Sequence, residues 1–478
     1  MNFSLKKILY VKDFKQIMSL TIHIFLQLFF AAIISQINIL LFSWYAGGTG
    51  FFAAVNKTTT LFIAIQFIPG LVASGTLVVG SKLFGQNKEK ELSKLITTGI
   101  LINLTITLFV YILTSLFAST FLSWLDAKNE FIITNNKYNQ INELDFCVKY
   151  FQIINISLVI MSVVQVLIAG LQIISKQRHI AIGSILSNVV DIILVVLVLY
   201  VFDLNPFYAS LGLVLVALFQ LVYMIVINVI YIDYKNWKFI NQIEVKYMFE
   251  TIKTGLPITL EVGLWNVCNF VANTAISHLY VNSTFIDQQQ VINTFINLHR
   301  TLTAIVQYSI TFLLAISTIT SMLVAKMIGK NDKQKAFEIG INCWKIAIYA
   351  QLLLSSITLV LTYPLLKAFN INSTLINKYG YILMSVLFVK LLFDTANMTL
   401  LRALWSTGDL WIPLLISVAT MITGMCLLPW LISSTFKGDT GYGLVLIYLV
   451  ISLDPILRSI IYTKRWFKRK WESRIKPV

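Results

Sequence analysis

Lys82-Leu83-Phe84-Gly85-Gln86-Asn87 closes one long apolar run, and Lys326-Met327-Ile328-Gly329-Lys330-Asn331 closes another. Lys, Gly and Asn recur in the same places, 244 positions apart. Each glycine is expected to cap a helix in left-handed backbone, and each copy leads through a charged stretch into a further apolar run. A weaker echo pairs Gly170-Leu171-Gln172 through Ser175 with Leu401-Arg402-Ala403 through Ser406, at an offset of 231. The offset falls by 13, which the polar loop at 121–148 absorbs, being longer than its counterpart near 364–378. The chain therefore reads as an internal repeat, two related halves in the same orientation.

What the halves are made of follows from composition. Of 478 residues, 57% are hydrophobic and 12% charged, and the mean hydropathy is +0.79. Soluble domains carry about twice that share of charge. Surface does not shrink fast enough with size for a soluble fold to hide so much apolar area. A bilayer core about 30 Å thick needs roughly 20 apolar residues per helix, and alternating barrel strands are absent. We expect an all-α integral membrane protein with twelve transmembrane helices. The first six are placed at 18–43, 52–83, 95–120, 149–174, 180–202 and 207–232. The second six are placed at 254–281, 291–328, 337–363, 379–403, 411–434 and 442–463. Pro69-Gly70 is expected to bend the second. Two lobes, 1–232 and 254–463, flank a linker at 233–253, and a basic tail follows at 464–478. A pseudo-twofold along the membrane normal should leave a central cavity between the lobes.

Charge supports this division. The net charge is +16, but the cations fall between spans, which speaks for membrane orientation and against nucleic acid. With both termini cytoplasmic, the inside segments carry 26 Lys and Arg and the outside loops 6, namely Lys128, Lys137, Lys149, Lys367, Lys378 and Lys437. The inside set includes Lys6, Lys7, Lys235, Lys238 and Lys476. The first apolar run is long enough to span and is read as retained rather than cleaved. Lys outnumbers Arg 30 to 7, which suits a bacterial cell membrane protein. The four cysteines, Cys147, Cys268, Cys343 and Cys426, form no CxxC pair and read as small buried hydrophobes rather than a zinc site.

Several stretches together resemble the multidrug and toxic compound extrusion (MATE) family, of the multidrug, oligosaccharidyl-lipid and polysaccharide flippase superfamily. They are Gly70-Leu71-Val72-Ala73-Ser74-Gly75 to Gly85-Gln86-Asn87, and Leu401-Arg402-Ala403 to Gly408-Asp409 with Pro413 beyond. Gly255-Leu256-Pro257 and Ala46-Gly47-Gly48 to Ala53-Ala54-Val55 are two more. The resemblance implies a monomeric secondary exporter with a V-shaped pair of lobes. It would expel small organic, often cationic drugs or metabolites by alternating access. It implies no cofactor, only Na+ or H+ as coupling ion.

Ionisable groups inside spans are costly, so each is a functional candidate. Lys390 and Asp394 share a helix face four residues apart, as do Asp454 and Arg458; either pair reads as structural neutralisation or as coupling. The resemblance assigns Asp394 and Glu261 to the second-lobe acids, and Glu261, Asp394 and Lys390 are expected to form one coupling cluster. The bland alternative for Glu261 is a bond to Asn266 or water. The first lobe departs from the family: Asn38 stands at the position of its helix-1 acid and His23 at that of a kinking proline. Asp191 and Val195 stand at the positions of a helix-5 Asn and Asp. Asn38, Asn188 and Asp191, with the polar stripe Asn266, Asn269 and Asn273, are the expected substrate-cavity residues, the stripe serving equally well as helix glue. His23 reads as structural.

Two other functions remain open. Lys57, Arg300, Lys345 and Lys390 suit a flippase for a lipid-linked oligosaccharide or peptidoglycan precursor, with cations for pyrophosphate. A membrane-embedded transferase would need a catalytic cluster, and the loop at 121–148 offers only Asp126, Glu130, Glu143 and Asp145. No phosphate-binding loop for ATP is present, and we expect no enzyme activity.

Overall fold

The computed structural model describes residues 10–45, 48–132, 141–234, 243–279 and 288–475. Lys6, Lys7, Ala46, Gly47, Lys137, Lys235, Lys238 and Lys476 lie outside the described residues. The chain is almost wholly helical. In order come α1 (Phe14–Trp44), α2 (Gly48–Ile65), α3 (Gly70–Gly85), α4 (Leu92–Leu116), α5 (Glu143–Ile173), α6 (Gln177–Val196) and α7 (Ala209–Tyr231). There follow α8 (Val245–Ser277), α9 (Gln288–Gly329), α10 (Lys333–Val360), α11 (Tyr381–Thr407), α12 (Trp411–Met421), α13 (Leu428–Thr435) and α14 (Thr440–Phe467). The two-residue strands Phe131–Ile132 and Ile141–Asn142 pair antiparallel in the expected polar loop.

Eleven helical segments among the described residues are long and apolar enough to cross a membrane. The α2–α3 pair and the pair α12–α13 each make one of them. The expected twelfth, α8, has 33 residues but falls outside this set. Its residues explain why: Lys246, Glu250, Lys253, Glu261, Asn266, Asn269 and Asn273 dilute its hydropathy.

By contacts the chain forms two compact units, Leu26–Thr259 and Met1–Phe25 with Leu260–Val478. The divisions fall inside α1 and α8. The first unit packs around Phe51, Phe146, Phe151 and Ile154 and, separately, around Ile96, Leu171, Ile180 and Met224. The second packs around Leu298, Leu302, Leu383 and Ile447.

The repeat is written in the helix ends, though not at the residues expected. Gly85 and Gly329 are the last residues of α3 and α9. The left-handed positions are Asn87 (φ 60°) and Asn331 (φ 60°). Asparagine tolerates this region better than other residues with a Cβ. In both copies the asparagine amide reaches the carbonyl three residues back and the next amide the carbonyl five back. The bonds are Asn87 to Phe84 at 3.2 Å and Lys88 to Leu83 at 3.0 Å, then Asn331 to Ile328 at 3.0 Å and Asp332 to Met327 at 3.0 Å. This is the Schellman closure. Asp126 and Asn370, also 244 apart, repeat it at φ 62° and 59°.

The second echo is shifted by two residues. Ser175 (φ 61°) and Gly408 (φ 98°) occupy equivalent left-handed positions, so the offset there is 233, not 231. Gly408 is the one described glycine with positive φ. A Cβ there would also stand 3.1 Å from the Arg474 main-chain oxygen. Gly408→Ala should therefore cost about 1–2 kcal/mol, read as a lower unfolding temperature in detergent. An unchanged temperature would contradict this reading of the cap.

Pro69-Gly70 does more than bend its span. Residues 66–69 leave the helix and separate α2 from α3. Proline cannot donate to the ladder, and the loosened turn needs other partners. Asn103 on α4 donates to the Pro69 carbonyl at 2.8 Å and to the Ser162 carbonyl at 2.7 Å.

Two of the glycine motifs meet. A Cβ on Gly75 would fall 2.0 Å from the Thr251 oxygen, and one on Gly255 would fall 1.9 Å from the Leu71 oxygen. The backbones of α3 and the start of α8 thus touch, as small residues allow between helices in lipid. The tail folds back as well: Trp471 stacks on Trp466 at 4.9 Å, and both are fully buried.

Candidate functional site

In the unit Leu26–Thr259, α1 and α6 bring Asn38 to Asp191. The Asn38 amide donates from Nδ2 to Asp191 Oδ2 at 2.6 Å. Asn188 stands one turn before Asp191, on the same face of α6. Asn38 Oδ1, Asp191 Oδ1 and Asn188 Nδ2 are buried and have no partner. Buried polar atoms are nearly always bonded, so these three atoms make the region a candidate polar site. The sequence reading placed these three residues together, and the structure joins Asn38 to Asp191.

In the other unit the central feature is Arg458 on α14. Its Nη1 donates to Glu261 Oε1 of α8 at 2.8 Å and its Nη2 to Asp454 Oδ2, one turn away, at 2.5 Å. The side chains of Arg458 and Asp454 are 3% and 2% exposed, that of Glu261 12%. One guanidinium thus neutralises two carboxylates deep in the protein. Such an arrangement is tolerated only with this geometry, because each charge alone would be unaffordable in low dielectric. Ser417 of α12 approaches Arg458 at 3.5 Å and is bonded to the Tyr462 hydroxyl at 2.8 Å. Arg402 interacts electrostatically with Glu261 and lays its guanidinium 5.1 Å from the Trp405 ring centroid. Two acids and two arginines balance.

Local structure explains the close fit. The stretch Ile422–Leu427, between α12 and α13, widens into a π turn, a feature common where helices carry function. Gly424 within it faces Asp454: a Cβ there would stand 3.2 Å from the Asp454 Cβ. Pro455 interrupts the amide ladder of α14 immediately after Asp454.

Of the expected cluster of Glu261, Asp394 and Lys390, the last two are bonded to each other. Lys390 donates to Asp394 Oδ2 at 2.9 Å, within α11, and Asn397 donates to Asp394 Oδ1 at 3.2 Å. Glu261 takes its ion pair from Arg458. The pair four residues apart on α11 was legible from spacing. The bond from Glu261 to a residue 197 positions away was not. The signal available was electroneutrality: Glu261 and Asp454 both required a cation.

Asn273 spends its side-chain oxygen on His299 Nε2 at 2.9 Å, while His299 Nδ1 meets the Tyr448 hydroxyl at 2.7 Å. Asn266 and Asn269 are half-buried. His23 bonds the Ser19 carbonyl of its own helix at 2.5 Å, a local structural role. Asp409 of the Gly408-Asp409 motif receives two bonds from Arg465, tying the exit of α11 to the end of α14. Among the described residues no three His, Cys, Asp or Glu side chains gather as a metal site.

Eleven apolar spans among the described residues, with ion pairs buried among them, define a polytopic membrane protein. The MatE family pattern matches residues 24–197 and 299–430, more than half of the chain, and the chain belongs to that family of transporters. No curated protein matches it in sequence. Its fold is similar to that of an outward-facing multidrug resistance MATE transporter of the MOP superfamily, with a TM-score of 0.79 at 13% identity over 95% of each chain. A variant of the Vibrio cholerae MATE transporter VcmN aligns with a TM-score of 0.80 at 13% identity, over 95% of this chain and 96% of that one. A MOP superfamily transporter from Pyrococcus furiosus, described as having a binding pocket of reverse polarity, aligns at 0.78 and 13% over the same shares.

Proposed function

We propose that the chain is a secondary active antiporter with twelve spans in two six-helix lobes, a monomer in a bacterial cell membrane with cytoplasmic termini. It exports small organic, cationic drugs or metabolites by alternating access, against an inward proton or sodium gradient. Family membership supports the transport role. The observation that carries the coupling is the Glu261–Arg458–Asp454 network.

Glu261 is its most accessible member. A proton arriving from water on the Glu261 carboxyl would remove one of the two negative charges on Arg458. Arg458 would keep Asp454, its neighbour on the same helix, and α8 would lose its ion pair to α14. Deprotonation restores the pair. An ion pair between two helices is thus made conditional on one proton, which is what a transporter needs to link an ion gradient to helix movement. Lys390–Asp394 serves as a second charge-balanced element of the same unit. In the unit Leu26–Thr259, Asn38, Asn188 and Asp191 supply polar contacts to the substrate.

The flippase reading is less well supported. Lys57 is paired with Glu143 at 2.8 Å, Lys345 bonds the Tyr10 carbonyl at 3.3 Å, and Lys390 is paired with Asp394. Three of the cations that a pyrophosphate would require are engaged. Reconstitution in liposomes tests the proposal. An imposed proton or sodium gradient should drive movement of a cationic dye, and vesicles with no gradient-dependent movement would contradict it.

A further inference from the structure

Four sulfur-bearing side chains meet beside the Arg458 network. Cys268 of α8 packs in one small cluster with Met421 at the end of α12 and with Met425 and Cys426 of the π turn, alongside Leu264 and Ile451. Cys426 packs directly against the buried group that holds Cys268. The chain holds only 4 cysteines and 11 methionines in 478 residues, so two of each in a cluster this small is a concentrated set. Cys268, Met421 and Met425 are buried, and Cys426 is half-exposed. The π turn is what brings Met425 and Cys426 into the group, since the wider turn alters which side chains face α8.

The geometry points to a binding site for a soft monovalent cation, copper(I) or silver(I), formed by the thiols of Cys268 and Cys426 and the thioethers of Met421 and Met425. Thioether donors suit such soft ions and not magnesium. Zinc structural sites use thiolate and imidazole donors, and among the described residues no third His, Cys, Asp or Glu joins the two cysteines as a metal-holding group. On binding, each thiol loses its proton to solvent, so two protons leave for one ion. The two-thiolate complex carries one negative charge. Asp454 and Arg458 both lie close enough to Cys268 to interact with it electrostatically, and the Arg458 Nε is buried without a partner. Half-exposed Cys426 provides the way in, which a buried site requires.

The test is a competition between full-length protein in detergent, under reductant, and the copper(I) chelator bathocuproine disulfonate. Wild-type protein should withdraw about one copper per chain, as a single four-sulfur set would. Cys268→Ser with Cys426→Ser should lose this, and Met421→Leu with Met425→Leu should weaken it about tenfold. Cys147→Ser with Cys343→Ser should keep it, because those thiols lie elsewhere: Cys147 bonds the Ala54 carbonyl at 3.5 Å. Size exclusion reports folding, and if the double serine variant aggregates, Cys426→Ser alone decides. Wild-type protein that takes no copper, or serine variants that take as much, would overturn the site. So would a Cys268–Cys426 disulfide forming in its place.

Discussion

Arg458→Met is expected to destabilise the protein more than any other single change at the site. The substitution leaves Glu261 and Asp454 buried and close together without their cation. Removing one partner of a buried ion pair costs about 3–5 kcal/mol, and here two carboxylates lose the same partner. The remaining negative charges also repel, so one carboxyl must bind a proton before the unit can pack. Detergent-solubilised Arg458→Met should unfold at a markedly lower temperature and recover part of the loss in acid. The triple variant Glu261→Gln, Asp454→Asn, Arg458→Met should regain most of the stability, since neutral groups of similar shape replace the charges. Transport by this triple variant should stay absent. A triple variant no more stable than Arg458→Met alone would show that the network is not the source of the effect.

The second large effect is expected at Asp191. Asp191→Leu removes the acceptor of the Asn38 amide, whose oxygen already lacks a partner. An orphaned buried donor costs about 1–3 kcal/mol, and Asn38 would then have both polar ends unsatisfied. Asp191→Asn keeps the shape and one bond, because its side-chain oxygen still accepts from Asn38. It should fold with near-native stability yet lose substrate movement in liposomes, because the charge is gone while the packing remains. Equal transport by Asp191→Asn and wild type would assign the residue a purely structural part.

These expectations rest on contacts of differing legibility. The repeat was visible as Lys-x-x-Gly-x-Asn because helix ends are local: the cap needs only six consecutive residues. Even so, the left-handed position went to Asn87 and Asn331 rather than Gly85 and Gly329, since helix length, not residue preference alone, decides which residue closes the turn. The offset in the second echo was off by two because Ser175 and Gly408 share a conformation without sharing a side chain. Lys390–Asp394 was legible from a four-residue spacing. Glu261–Arg458 was not, because α8 and α14 are brought together by packing that no periodicity encodes. The π turn at Ile422–Leu427 was also hidden: it depends on Gly424 fitting against Asp454, a contact between distant segments. The same turn gathers the sulfurs, which read in sequence as ordinary buried hydrophobes.

The coupling role of Glu261 is tested most directly by Glu261→Gln in proteoliposomes, with accumulation of a cationic dye measured against an imposed gradient. Glutamine keeps the shape and a carbonyl for Arg458 but cannot exchange a proton. The variant should fold, still let the dye equilibrate down its own gradient, and no longer accumulate it. A Glu261→Gln protein that accumulates dye as wild type does would contradict the claim that this carboxylate couples ion to substrate.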